Sequence, residues 1–292
     1  VRVVGLDADP LSVGVHFCDK SYVVPKGDNP KFLKKLIEIC KIEKPNMIIS
    51  GPEEEVLTIT KNKEIFEKQN IVILSPDYKN VKICSDKMKT YEKLQEYKFP
   101  VPVIFKKQFQ YPCIIKPRNG RGGENVYKIK NNEELKFYHK KIKKPIITEF
   151  LKGDEFSVDV FADLEGNPIS IIPRKRIKTE SGISIKGLIV YDEIIINYCK
   201  EITKKFNLVG PSCIQCFKNK NNIKFIEINN RFGGGSALSL KSDPTIITNI
   251  IKIAKGEKPI KSKGFLTGLL MLRYYKEIFI DEKSSISSRV NL

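Results

Sequence analysis

The chain has 292 residues, 41% of them hydrophobic, enough to bury a core and to form one large domain or two to three smaller ones. Its longest apolar run, residues 264–272, is far short of the roughly 18 residues a membrane span needs. The net charge of +18 comes from 52 basic and 34 acidic residues; Lys recurs in every predicted helix and no nucleic-acid-binding motif appears, so nucleic acid is not expected as the main partner.

Residues 1–85 alternate strands and helices. Val3–Leu6 reads as a short β-branched strand ending at Asp7. Asn29 is placed to cap a helix with Pro30 at its first position, and Leu33, Leu36, Ile37 and Cys40 keep helical spacing. Residues 47–50 and 71–74 read as buried strands around a polar helix, a parallel βαβ pattern. A first βα unit is expected to be missing ahead of Val3, and because the chain starts at Val1 a cleaved leader stays open.

A helix within 86–104, with Ser85 as its cap, ends before Pro100. Cys113–Lys116 is a strand leading into a loop, Asn132 caps a short helix, and Ile146–Phe150 is a strand before a turn at Gly153. From residue 155 the period becomes two, with Phe156, Val158 and Val160 on one face and Glu155, Ser157 and Asp159 on the other. A strand over 169–176 follows the turn at Glu165-Gly166-Asn167, and residues 176–190 are read as loops. Asp192 caps a helix that packs through Ile195, Cys199, Ile202 and Phe206; strands at 213–218 and 223–231 follow, and Asp243-Pro244 opens a last helix that stops at Gly256.

Seven scattered Cys fit reduced thiols in a cytoplasm better than a disulfide framework. Cys213 and Cys216 form a CxxC, but the odd offset in a strand sends them to opposite faces and no second pair accompanies them.

Three segments carry chemistry. In the hairpin Cys213–Arg231, Glu227, Asn229 and Arg231 share one strand face with Phe225, while Ile226 and Ile228 point to the opposite, apolar face, and Gln215 can stand opposite on the partner strand. Oxygen side chains so arranged suit a hard cation held to phosphates, and Arg231 can meet a developing anion. The sequel Phe232-Gly233-Gly234-Gly235-Ser236, which demands close backbone approach, favours this over an ordinary solvated strand face. In the second segment a buried strand delivers Lys116 into the glycine-rich basic loop Asn119-Gly120-Arg121-Gly122-Gly123, whose N–H groups can wrap phosphate oxygens. In the third, a strand ending in Glu149-Phe150-Leu151 continues as extended backbone that can bind an adenine edge. Arg174 and Arg176 share a strand face and can clamp a carboxylate or phosphate, or form an exposed basic strand.

These segments, in this order, resemble the ATP-grasp superfamily, in particular the synthetase halves of the carbamoyl phosphate synthetase large subunit and its short free-standing relatives, which include amino-acid ligases. The likeness runs from about Cys84 to Tyr275. It implies an α/β chain, α+β in its C-terminal part, in which an ATP-grasp fold follows an incomplete Rossmann-like parallel α/β domain. The divisions implied are 1–84, then 85–280 with a lid subdomain at about 105–148 and a C-terminal subdomain at about 149–280, then a tail, 281–292. Lys87 and Lys116 would contact ATP phosphates, with the loop 119–124 folded over them. Glu149, Phe150 and Leu151 would hold adenine and Glu155 the ribose; Gln215, Glu227 and Asn229 would hold Mg²⁺ or Mn²⁺; Arg231 would stabilise the acyl phosphate, with Arg174 and Arg176 as candidates to clamp the carboxylate or the γ-phosphate. Asn125 stands where a small residue, often Gly, is expected. The implied activity is phosphorylation of a small carboxylate by ATP, then attack by an amine, in a cytoplasmic enzyme with room for a homodimer. Phosphorylation of bicarbonate or carbamate, and a nucleotide-binding protein without catalysis, are the alternatives.

Overall fold

A computed structural model of the protein describes residues 1–120 and 122–280. The first unit holds two parallel strand pairs. β1 (Val4–Asp7) pairs with β2 (Lys20–Val23), and after α1 (Phe32–Glu43), β3 (Met47–Ile48) pairs with β4 (Val72–Ile73) across α2 (Glu53–Lys61) and α3 (Lys63–Glu67). No strand among the described residues joins the two pairs. Phe32, Leu36, Ile39 and Cys40 form one face of α1 and pack with Tyr22, Phe66 and Ile73. Asn29 does not cap α1. Its Oδ1 accepts from Lys31 N at 2.9 Å, an Asx turn, and the helix begins at Phe32.

α4 (Tyr78–Cys84) leads to α5 (Lys87–Glu96). The cap of α5 is Asp86 and not Ser85: its Oδ1 accepts from Met88 N and Lys89 N, which satisfies two first-turn donors and makes Lys87 the first helical residue. The lid follows. β5 (Cys113–Pro117) lies between β6 (Tyr127–Ile129) and β7 (Pro145–Glu149), all antiparallel, with α6 (Asn132–Lys141) packed on them through Leu135. Asn131, one residue before the expected Asn132, caps α6 by accepting from Glu134 N at 2.9 Å. The basic residues are less evenly spread than the helix-by-helix reading supposes. Residues 105–148 hold twelve Lys and Arg against three Asp and Glu, half of the net +18.

The rest is built on a six-stranded antiparallel sheet. Its strands are β8 (Asp154–Ala162), β9 (Pro168–Glu180), β10 (Ile183–Ile189), then, after α7 (Glu193–Lys205), β11 (Gly210–Asn219) and β12 (Asn222–Asn229). α8 (Ala237–Ser242) and α9 (Thr245–Ala254) precede the short β13 (Leu270–Leu272), and the spatial order is β12-β11-β8-β9-β10-β13. One face packs Val158, Val160, Ile214 and Phe225 against Leu94 of α5 and Ile195 and Ile202 of α7; Ile172 and Ile189 pack with Leu238 and Ile246 of α8 and α9. Residues 176–190, expected as loops, are instead the end of β9 and all of β10. They turn at Ser181-Gly182, both left-handed with φ 46° and 74°, and Lys186 and Gly187 dilute the apolar alternation that would mark the strand.

Candidate active site

The face of β12 differs from the simple alternation. Gln215 stands opposite Glu227, but the next partner of β11, Cys216, stands opposite Phe225, so Ile226 is the extra residue of a bulge. Phe225 and Ile228 therefore both enter the core, while Ile226 joins Glu227 on the side of the cleft. Without the bulge, Phe225 would occupy the site. Cys213 and Cys216 do take opposite faces: Cys213 lines the site and Cys216 lies in the core.

Two cavities meet over this sheet. The larger, about 670 Å³, lies between lid and sheet and is lined by Lys116, the strand end Glu149-Phe150-Leu151, Glu155 and Ile226. The smaller, about 340 Å³, is lined by Arg174, Asn229, Arg231 and the run Gly233-Gly234-Gly235. Gly122, Gly123, Arg176, Gly182, Gln215 and Glu227 line both.

Lys116 is 8% exposed and its Nζ donates to Tyr91 Oη at 2.8 Å. Burial lowers its ammonium to about 8, against the pull of Glu227 and Glu155. Lys87 Nζ bonds Gly120 O at 2.9 Å and pairs with Glu227 Oε1 at 3.0 Å. Glu149 Oε1 accepts from Val103 N at 2.8 Å, which fixes the strand end beside the cavity, and Lys128 Nζ lies 4.1 Å from the Phe150 ring centroid. Glu155 pairs with Arg176 at 2.5 Å, and Arg176 also donates to Gly182 O at 2.8 Å.

The loop after Lys116 departs from the expectation in part. Gly122 and Gly123 line the cleft, with φ 65° and 72° that only glycine adopts freely. Asn119 does not fold over this cavity: its Nδ2 donates to Ser85 O at 2.7 Å. Gly120 contributes a carbonyl to Lys87, and Arg121 lies outside the described residues, as does the tail 281–292. Asn125 has φ 57°, so a residue tolerant of the left-handed region is required there, and Asn meets that need in place of Gly.

Arg174 is neither an exposed basic residue nor a free clamp. It is 1% exposed, with Nε 2.6 Å and Nη2 3.2 Å from the two carboxylate oxygens of Asp159, which also accepts from Ser239 Oγ at 2.6 Å. A Cβ on Gly235 would stand 2.5 Å from Arg174 Nη1, so the glycine run is needed for backbone to pass over the guanidinium. Arg231 donates to Phe232 O at 3.0 Å, and among the described residues no carboxylate pairs with it.

Glu53 escaped the sequence reading. It reaches from the first turn of α2 into a crevice with Asn229 and Arg231, where burial, opposed by Lys87, raises its carboxyl to about 7. Tyr91 was missed too, although it lies four residues from Lys87 and so on the same helix face. The signal for Asp159 was its place on the polar side of the strand with Glu155 and Ser157.

The donors Glu227, Gln215 and Asn229 are all oxygen-bearing and line one cavity, a set that fits a hard divalent cation. An antiparallel sheet under a lid with a buried Lys, a glycine loop and these donors defines a nucleotide-dependent enzyme class. The chain belongs to the ATP-grasp family: residues 84–235 match the ATP-grasp domain, and residues 1–74 match the PylC-like N-terminal domain. Among curated relatives, a carbamoyl-phosphate synthase of Methanobrevibacter smithii is 24% identical over 160 residues, 51% of this chain and 42% of that one. The chain spans between 27% and 42% of the length of the first carbamoyl phosphate synthases it matches. Two solved structures share the fold. The biotin carboxylase domain of Hydrogenobacter thermophilus 2-oxoglutarate carboxylase, a dimer in complex with MgADP, ADP and bicarbonate, superposes with TM-score 0.72 at 15% identity, over 92% of this chain and 68% of that one. The L-amino acid ligase of Bacillus licheniformis gives TM-score 0.68 at 16% identity, over 89% and 75%. No helix among the described residues is long and apolar enough to cross a membrane.

Proposed function

We propose that the protein is an ATP-dependent ligase that converts a small carboxylate into an acyl phosphate, which an amine then attacks. The observation that carries this reading is the confluence of two cavities at Glu227 and Gln215, one beside Lys116 and the strand end 149–151, the other ending at Arg231. ATP would lie in the larger cavity with adenine along Glu149–Leu151 and ribose at Glu155. Lys116, Lys87 and the N–H groups of Gly122 and Gly123 would hold its phosphates. Bound at Glu227, Gln215 and Asn229, Mg²⁺ or Mn²⁺ would supply charge compensation for those phosphates. The carboxylate oxygen forms the new bond to the γ-phosphorus as the bond to the β–γ bridging oxygen breaks. Arg231, which forms no ion pair with a carboxylate among the described residues, would meet the charge that develops on the acyl group. Arg174 would act through the wall it braces, and Arg176 would close the boundary between the cavities. The amine then attacks the acyl carbon and phosphate leaves.

Bicarbonate would be the substrate if the likeness to carbamoyl phosphate synthases extended to chemistry. The smaller cavity favours a larger acid, since one water occupies only about 30 Å³ of liquid and the cavity measures about 340 Å³. Residues 1–84, 85–280 and 281–292 are proposed as the working divisions of the chain. Seven unpaired cysteines support a cytoplasmic setting, and the dimeric carboxylase supports a homodimer. The test is ADP release from ATP and magnesium with a panel of acids, bicarbonate among them, each with and without an amine. Release that needs an organic acid is expected; release with bicarbonate alone favours the second reading, and none with any acid sinks the ligase.

A further inference from the structure

A separate cleft of about 360 Å³ shares its walls with the phosphate-binding segments but shows other side chains. Lys87 and Lys89 are two residues apart on α5 and so point about 200° apart around the helix. Lys87 lines the nucleotide cavity; Lys89 lines this cleft, with Lys61 from the end of α2 and Lys82 from α4. The glycine loop divides likewise: Gly122 and Gly123 face the nucleotide cavity, while Asn119 faces the cleft and is tied to Ser85 O.

Among the described residues the lining of the cleft holds three lysines and one carboxylate, which is already engaged. The carboxylate in its lining, Asp86, accepts from Met88 N, Lys89 N and both ways from Arg118 Nε, at 2.6 and 2.7 Å. Among the described residues no carboxylate pairs with Lys61, Lys82 or Lys89; Lys82 lies over the Tyr78 ring, 5.7 Å from its centroid. The general lysine excess does not explain this grouping. Residues 1–84, which supply Lys61 and Lys82, hold thirteen basic and twelve acidic residues. Three ammonium groups around a cleft of this size match an anion with several charges spread over a few ångströms.

We propose that this cleft is a second anion site, distinct from the nucleotide cavity, which takes a di- or triphosphate group between Lys61, Lys82 and Lys89. Free pyrophosphate and the tail of a nucleoside diphosphate share that chemistry. The proposal does not depend on the ligase reading, since it concerns binding alone.

The test is calorimetric titration of the whole protein with pyrophosphate, after the nucleotide cavity has been filled with magnesium and a non-hydrolysable ATP analogue. One further equivalent is expected to bind, and Lys61→Gln/Lys82→Gln/Lys89→Gln is expected to weaken it at least tenfold with an unchanged melting curve. The comparison variant Lys200→Gln/Lys204→Gln/Lys205→Gln removes the same charge from α7 and is expected to leave binding intact. Equal loss in the two variants means general electrostatics and overturns the site, as does unweakened binding in the first. Should the first variant not fold, Lys89→Gln alone carries the same expectation at roughly threefold. Displacement of pyrophosphate by a nucleoside diphosphate of equal affinity assigns the nucleotide tail; no displacement assigns the free polyphosphate.

Discussion

The lid and the six-stranded sheet bring charge to the cleft in different states. On the sheet most of the site's charges arrive already matched, Arg174 with Asp159, Arg176 with Glu155, and Glu227 with Lys87 from α5; among the described residues Arg231, just beyond β12, is the exception. On the lid, Lys116 has the Tyr91 hydroxyl as its one hydrogen-bond partner among the described residues, and the segment 105–148 carries twelve basic residues against three acidic ones. A matched pair can exchange partners when a ligand enters, at little net change of charge. An unmatched surplus lowers its energy only by taking up an anion. On the proposed reading, the sheet would direct the chemistry and the lid would draw nucleotide in.

Breaking the sheet side should do the greater damage. Glu227→Gln is expected to lower ADP formation by roughly 10³-fold, with the melting curve retained and ATP binding only weakened. Near-normal turnover would remove Glu227 from the site, and loss of fold would make its role structural. Asp159→Ala leaves the Arg174 guanidinium buried without a counter-charge. That should cost about 3–5 kcal/mol of stability, read by chemical denaturation, and an effect below 1 kcal/mol would show that water reaches the pair.

Arg231→Ala is expected to lower turnover roughly 10²-fold while ATP affinity changes little, because it lines the smaller cavity and not the larger one, where the nucleotide is proposed to lie. A loss confined to ATP affinity would move Arg231 to the phosphates. On the lid side, Tyr91→Phe removes the acceptor of Lys116 and should weaken ATP binding by about fivefold, near 1 kcal/mol; unchanged binding would make Tyr91 a packing residue.

A further effect, confined to one pH range, concerns Glu53. Its carboxyl is raised to about 7 in the fold against 4.5 unfolded, so the native state holds the proton more tightly. The stabilisation is complete below 4.5 and is lost as pH rises through 7. Glu53→Gln should therefore raise nucleotide-free stability at pH 8 by about 1–2 kcal/mol and not at pH 4. An equal effect at both values would refute the buried-acid account.

Most of the fold was legible because its signals are local. The alternation at 155–160, the Asp192 cap and the turn at Glu165-Gly166-Asn167 each follow from a few neighbouring residues, and each is present. The caps at Asp86 and Asn131 were displaced by one residue because either of two adjacent polar residues satisfies the pattern, and only backbone geometry chooses. The bulge at Ile226 could not be read, since it depends on the register with β11. The burial of Arg174 was hidden for a similar reason: its partner Asp159 stands on another strand and Gly235 passes over it from beyond β12. Glu53 belongs to a different unit from the residues it joins, and no spacing within the chain announces that meeting.

The turn at Ser181-Gly182 has a consequence for the order of events in turnover. A Cβ on Gly182 would lie 2.5 Å from the carbonyl carbon of Gly122, so the hairpin and the lid loop touch backbone to backbone. Both glycines wall both cavities. On the proposed reading, parting that contact would open the two rooms together, so that spent nucleotide and finished product would share one exit and the next acid would have to be seated before the contact closes.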